Sequence, residues 1–391
     1  MRLWTFGGDV KSSIKSRIAL WGLALSLLVG LTGSGLTLAH PISANLDTYA
    51  QTKNAISVQT STAAVDFPAK LTFNLVANDD VNITDIRLRY TVDRDYFARV
   101  FSEAFVEFSP STSVQISWVM DMQKIGGLPP GSSLNYWWVI KDASGGSFQT
   151  IPQKVEFTDN RFQWRNVKQN NVTLYWYNGG DAFANQLMTT AQQALARLEN
   201  STGAMLVRPI KIYIYANTQD LQGSMIFPAE WTGGAAFTEY AIIAIGIAPS
   251  NLAWGETAIA HELVHLAVHQ MTSNPYNELP TWLDEGLAVY NEGQPDSGMT
   301  SALYQAVAKK TLVSIRSLSS PFSAYSDAAS LAYGESWSAV NYLITTYGQQ
   351  KMLNLLNTFQ QGSGYDDAFN KVYGFDMDQL YVLWKQEIGA Q

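Results

Sequence analysis

The sequence predicts an α+β protein in three parts: an apolar N-terminal helix, an all-β sandwich, and a mixed unit that ends in helices. Three observations predict it. Residues 18–39 carry no charge. Residues 46–158 read as short strands divided by turn signals, and from about residue 161 a few strands give way to helical periodicity.

The N-terminal element comes first. Arg2, Lys11, Lys15 and Arg17 precede "IALWGLALSLLVGLTGSGLTLA", and a basic stretch before an apolar run is an export signal or a membrane anchor. About 20 apolar residues span a bilayer, and this run of 22 is long enough; a signal h-region takes roughly 7–15. Residues 1–44 therefore read as an anchor, and "TLAHPISA" keeps a cleaved signal peptide open as the alternative. With the basic residues on the N-terminal side, the rest of the chain is expected outside the cytoplasm, membrane-tethered or secreted. The net charge of −8, with no basic run past the N-terminus, argues against nucleic acid as a partner. Oligomeric state leaves no trace in the sequence.

Between residues 45 and 160, "KLTFNLVAN" (70–78), "ITDIRLRYTV" (83–92), "SVQISWVMD" (113–121), "LNYWWVIKDA" (134–143) and "QKVEFTD" (153–159) are β-branched and aromatic. "NDD", "GGLPPGSS" and "ASGG" separate them as turns. About seven such strands fit a small antiparallel sandwich of the immunoglobulin or fibronectin type III kind. Nothing in it looks catalytic, and it reads as a spacer or adhesive module.

Residues 161–391 change texture. "NVTLYWYNG" (171–179), "RPIKIYIYAN" (208–217) and "GGAAFTEYAIIAIGIAP" (233–249) are strand-like, with a helix over 181–203 that stops at Gly203. After residue 250 almost everything is helical, including "SWSAVNYLITTYG", "QQKMLNLLNTFQQG" and "DMDQLYVLWKQEIG".

The chemistry sits in "AIAHELVHLAVHQ", residues 258–270, which holds three of the chain's four histidines. Residues four apart share a helix face about 6 Å apart, so His261 and His265 can converge on one metal ion. Glu262 beside them can serve as general base on a water at that ion. With no cysteine in the chain, a metal must be held by histidine and carboxylate, which is the make-up of a catalytic zinc site with an open position. A third ligand is needed. His269 is rejected, because eight residues carry it about 12 Å along the axis from His261; it reads as a flanking residue. Glu285 in "ELPTWLDEGLAVYNEG" is the better candidate, on a second helix opened near Pro280. Asp284 competes with it, but one residue of offset turns a helix by about 100°, so only one of them can face the ion.

"HELVH" followed by "LPTWLDEGLAVY" resembles the gluzincin zinc metallopeptidases, in particular the peptidase MA-like family, over roughly residues 161–390. The resemblance implies a thermolysin-like catalytic domain and one Zn²⁺ per chain bound by His261, His265 and Glu285. It also implies Glu262 as general base and a peptide or protein as substrate. Tyr333 in "LAYGESWSAVNYL" resembles the family's oxyanion-stabilising tyrosine ahead of a long helix; Tyr325 and Tyr342 are lesser candidates. Substrate backbone is expected to add to an edge strand near "GGAAFTEYAIIAIGI". The aminopeptidases of this clan carry Gly-x-Met-Glu-Asn upstream of the zinc helix, and "GGAAFTE" departs from it, with only Glu239 as a substitute. That departure leaves endo- and exopeptidase action open. The rival reading is a cell-surface binding protein that works through its sandwich and carries an inactive catalytic unit.

Overall fold

In the computed structural model, which describes residues 2–5 and 55–390 except 96, 99, 229–231 and 324, the strand-forming stretches pair into two sheets. The apolar run 18–39 lies outside the described residues. Among those described, no helix is long and apolar enough to cross a membrane.

Strand β1 (Arg2–Thr5) belongs to the second sheet. The first sheet comprises β2 (Ser57–Asp66), β3 (Lys70–Val92), β4 (Ser102–Phe105), β5 (Ser111–Asp121), β6 (Ser132–Asp142), β7 (Ser147–Gln149) and β8 (Gln153–Phe157), with the single-turn α1 (Met122–Ile125) after β5. The turn expected at "NDD" is not a turn: residues 70–92 form one strand of 23 residues. No glycine or proline interrupts it, and register slips between Asn78 and Ile83, and between Ile83 and Asp85, let it bend without reversing. Its first half pairs with β2 and β5 and its second half with β4 and β6. Leu71, Phe73 and Leu75 of the first half share one core with Ile86, Leu88 and Trp138.

The second sheet uses β9 (Arg165–Gln169), β10 (Val172–Trp176), β11 (Ile210–Tyr215), β12 (Thr232–Phe237) and β13 (Ile242–Gly246), with helices α2 (Gly180–Thr202) and α3 (Thr218–Gln222) between strands. Its order is β1-β12-β13-β11-β10-β9; β10, β11 and β13 run parallel, and the flanking strands are antiparallel. Alternation along "IKIYIY" splits the two faces. Ile210, Ile212 and Ile214 pack with α2 and the helix that follows, while Tyr213 and Tyr215 turn to the other side. There Tyr215 donates to the fully buried Asp159 at 2.9 Å, and Arg161 grips the same carboxylate through two bonds of 2.9 and 2.7 Å. Phe162 stacks on Tyr177 at 4.1 Å. The segment joining the two sheets is therefore docked rather than free. Gly131, at φ +76°, passes so near Tyr213 that a Cβ would lie 2.0 Å from its hydroxyl.

The helical half is α4 (Leu252–Thr272), α5 (Thr281–Glu292), α6 (Ser297–Lys309), α7 (Ser326–Tyr347), α8 (Gln349–Gln360), α9 (Tyr365–Tyr373) and α10 (Met377–Glu387). Helix α4 is apolar on nearly every face, which makes it a central helix with neighbours all round. Helix α7 holds α5 against it. At Gly286 the backbones come so close that a Cβ would stand 2.5 Å from the Ser336 carbonyl oxygen, so the glycine after Glu285 is a packing requirement.

Beside that contact lies Glu335, buried, with its Oε1 accepting the Val313 N–H at 3.0 Å. Burial pushes its carboxyl up to about 8. Its folded value exceeds its unfolded one, so the stability it contributes is complete below pH ~4.5 and is lost as pH rises through about 8. Glu335→Gln should raise the melting temperature at pH 8 and leave it little changed at pH 4.5, as calorimetry at the two pH values would show.

Candidate metal centre

Helix α4 brings His261, Glu262 and His265 to one side because their spacing matches its turn, and α5 lies across that side. All three are buried, as are Asp284 and Glu285. His261 Nε2 and His265 Nε2 lie 3.2 Å apart; Glu285 Oε2 is 3.4 Å from the first and 3.6 Å from the second. Zinc bonds of about 2.0–2.1 Å at tetrahedral angles put ligand atoms about 3.3–3.4 Å apart. Two imidazole nitrogens and one carboxylate oxygen at these separations fit one face of such a site, and leave a fourth position.

The far ring nitrogens are held as well. His261 Nδ1 bonds to Glu292 Oε1 at 2.7 Å, and His265 Nδ1 faces Asp284 Oδ1 at 3.2 Å. Protons on both Nδ1 atoms leave the Nε2 lone pairs aimed at the shared point. The rotation that separates Asp284 from Glu285 is visible here: Glu285 faces both Nε2 atoms, while Asp284 turns to His265 Nδ1 and to His269 Nε2, the latter at 3.1 Å. His269 is thus off the trio and joined to it through Asp284. His265, His269 and Asp284 make a second group close enough to hold a cation, but it would need the His265 nitrogen that Asp284 already faces. Glu292 was missed in the sequence. Its signal is its spacing, since it stands seven residues after Glu285, two turns along the same face.

Glu262 is buried against β12. The Ala236 N–H donates to its carboxylate, and a Cβ on Gly234 would sit 3.1 Å from Glu262 Oε1. Burial raises its pKa to about 7, against the lowering pull of His261 and with Glu285 adding to the rise. Burial lowers the His261 pKa, but Glu285 and Glu292 outweigh it and carry it to about 10.

Tyr333 lies on α7 one turn before Ser336, the residue that meets Gly286, and its ring stands edge-on to Phe322 at 5.1 Å. Tyr325 is exposed at the start of α7, and the Tyr342 hydroxyl is 3.3 Å from that of Tyr347 in the helical core. Glu239 follows β12 and pairs with Arg94, just past β3, at 3.2 Å.

A helix bearing His-Glu-x-x-His, crossed by a second helix that offers a glutamate to both histidines, defines the class of gluzincin-type metallopeptidases. The model of the Peptidase MA superfamily matches residues 190–390, just over half of the chain, and the chain belongs to that superfamily. No curated protein matches it. Among solved structures it is similar to an M1 zinc metallopeptidase from Deinococcus radiodurans (12% identity, 84% of this chain and 94% of that one, TM-score 0.37). It is also similar to aminopeptidase A of Legionella pneumophila (9% identity, 84% and 50%, TM-score 0.35). Wild-type OgpA from Akkermansia muciniphila matches over less (9% identity, 27% of this chain and 28% of that one, TM-score 0.23). This chain therefore spans under a third of OgpA, and all three likenesses are too distant to speak to activity.

Glu285→Ala should abolish zinc retention through gel filtration, whereas Asp284→Ala should keep the metal with an affinity about 10–100-fold weaker. Metal analysis and chelator competition read both. Zinc lost in the Asp284 variant and kept in the Glu285 variant would shift the ligand by one residue.

Proposed function

We propose that this protein is a zinc-dependent peptidase that hydrolyses peptide bonds outside the cytoplasm, tethered by its N-terminal segment or released from it. What supports the reading is the triangle of His261 Nε2, His265 Nε2 and Glu285 Oε2, with sides of 3.2, 3.4 and 3.6 Å beside a buried glutamate. Two histidines and one carboxylate with an open position are the donor set of catalytic rather than structural zinc.

Zinc bound there would supply Lewis acidity, lowering the pKa of water and polarising the peptide carbonyl. His261, His265 and Glu285 would hold it; Glu292 bonds to the Nδ1 of His261 and Asp284 faces the Nδ1 of His265. Glu262 takes the proton of the attacking water at its carboxylate and hands it to the leaving amine. Its burial beside β12 keeps that carboxylate out of bulk water, where it can pass a proton between the two groups. The Ala236 N–H holds that carboxylate in place. Tyr333 is assigned the role of donor to the developing oxyanion through its hydroxyl. The substrate backbone takes the outer edge of β12 in place of Arg2–Thr5, which lies antiparallel along it with Arg2 opposite Ala236 and Thr5 opposite Thr232.

The test is zinc-loaded protein incubated with a broad peptide mixture beside its Glu262→Gln variant. Zinc should be retained by both at about one ion per chain, and cleavage should fall at least about 100-fold in the variant. Zinc bound with no cleavage by the parent would leave the binding-protein reading in place.

A further inference from the structure

A cavity of about 730 Å³ is lined at one end by His265 and His269 and runs past the C-terminal end of β12 to residues 94–97 and 125–129 beside the first sheet. Its far wall sets exposed apolar side chains beside Arg94 and Asp95. Phe97, Ile125 and Phe227 are 61%, 47% and 64% exposed, and all three line this one space. Large apolar side chains left open to water and gathered in one concavity mark a binding surface. Phe97 and Ile125 belong to the sandwich domain and Phe227 to the loop before β12.

That wall is held in position. Arg94 pairs with Glu239 at 3.2 Å, Arg208 with Asp95 at 2.9 Å, and the Asp95 N–H donates to the Glu239 carbonyl at 2.9 Å. Three contacts thus pin the sandwich loop at residues 94–95 to the turn after β12 and to the start of β11. The segment around Asp159 is docked on the second sheet as well.

The polarity of β12 says which part of a peptide enters. A chain antiparallel to β12 has its N-terminal end at Ala236 and its C-terminal end at Thr232, as Arg2–Thr5 does. Glu262 faces β12 at Gly234 and Ala236. Residues before the scissile bond therefore point towards Phe237 and Glu239, into the cavity. We propose that the sandwich domain supplies the specificity wall for the N-terminal side of the cleaved bond, selecting peptides with a large apolar side chain there. Phe97 and Ile125 are the determinants. This rests on the peptidase reading and replaces the spacer role expected of the sandwich.

The experiment uses the full zinc-loaded chain and peptides that carry either Phe or Gly in the two positions before the cut. For the parent, mass spectrometry of digests should place cuts after apolar residues, and the Phe-to-Gly ratio of kcat/KM should exceed about tenfold. In Phe97→Ser and Ile125→Ser that ratio should fall towards one. Both side chains are largely exposed, so truncation leaves folding intact. Calorimetric binding of the same peptides to Glu262→Gln, and to Glu262→Gln with Phe97→Ser, gives a readout free of turnover. A Phe preference in binding that Phe97→Ser removes, with no cleavage by the parent, would support the wall and sink the peptidase reading. Cleavage or binding indifferent to Phe, or a preference that survives both substitutions, would overturn the inference.

Discussion

Everything in the helical half answers to the burial of charge between α4 and α5. Glu262, Asp284 and Glu285 lie buried with His261 and His265, and Glu292 closes the group with its side chain 5% exposed. Four carboxylates against two imidazoles make a site that no dry core would tolerate unless protons or a cation balanced it. The pKa shifts show the balance in protons: His261 is carried up to about 10 and Glu262 to about 7. A divalent ion at the Nε2 atoms would supply the same compensation without those protons, so its affinity is tied to pH. The surrounding architecture follows from holding these groups at fixed separations. An apolar α4, a glycine that lets α7 press α5 inward, and carboxylates on both Nδ1 atoms all keep the two ligand nitrogens 3.2 Å apart.

The second sheet has a related task. Its parallel centre, β10, β11 and β13, is packed by isoleucine on the α2 and α4 side, which seats α4 rigidly. Its antiparallel member β12 lies beside Glu262, and the glycines of "GGAAF" serve that approach, since a side chain at Gly234 would meet the carboxylate. Tyrosine and tryptophan on the opposite face need both apolar contact and a hydrogen-bond partner. Asp159 and its neighbours in the interdomain segment provide them. One strand pattern, alternating Ile and Tyr, thus binds helix α4 on one side and the segment leading from the first sheet on the other.

What could be read from the sequence follows the range of the interaction. His261, Glu262 and His265 are legible because helix spacing alone brings them together, and the same 100° step separates Glu285 from Asp284 before any coordinates exist. Glu292 is equally local, since its seven-residue offset from Glu285 is a helix-face signal, but the His-Glu-x-x-His motif does not name it. The bend in β3 escaped because "NDD" carries turn-forming residues without the glycine or proline that forces reversal. The cavity wall was not legible at all. Arg94 and Glu239 are 145 residues apart, and Phe97 and Ile125 obey no motif. Their meaning arises only when the first sheet and the second are docked, which no local pattern encodes.

The outer edge of β12 connects these levels to the N-terminal segment. Arg2–Thr5 takes that edge, whereas an apolar run that crossed a bilayer at residues 18–39 would carry Arg2–Thr5 to the side opposite the catalytic unit. The two arrangements exclude each other, and cleavage after the run would also remove the strand. Displacing Arg2–Thr5 would open the β12 edge to another strand next to Glu262. Bare edges recruit extended chains, and sheets normally blunt them with charge, proline or a bulge. "TGGAAF" has none of the first two. An edge that accepts an antiparallel segment, beside a buried glutamate and a cavity with exposed Phe97, Ile125 and Phe227, suits an extended peptide.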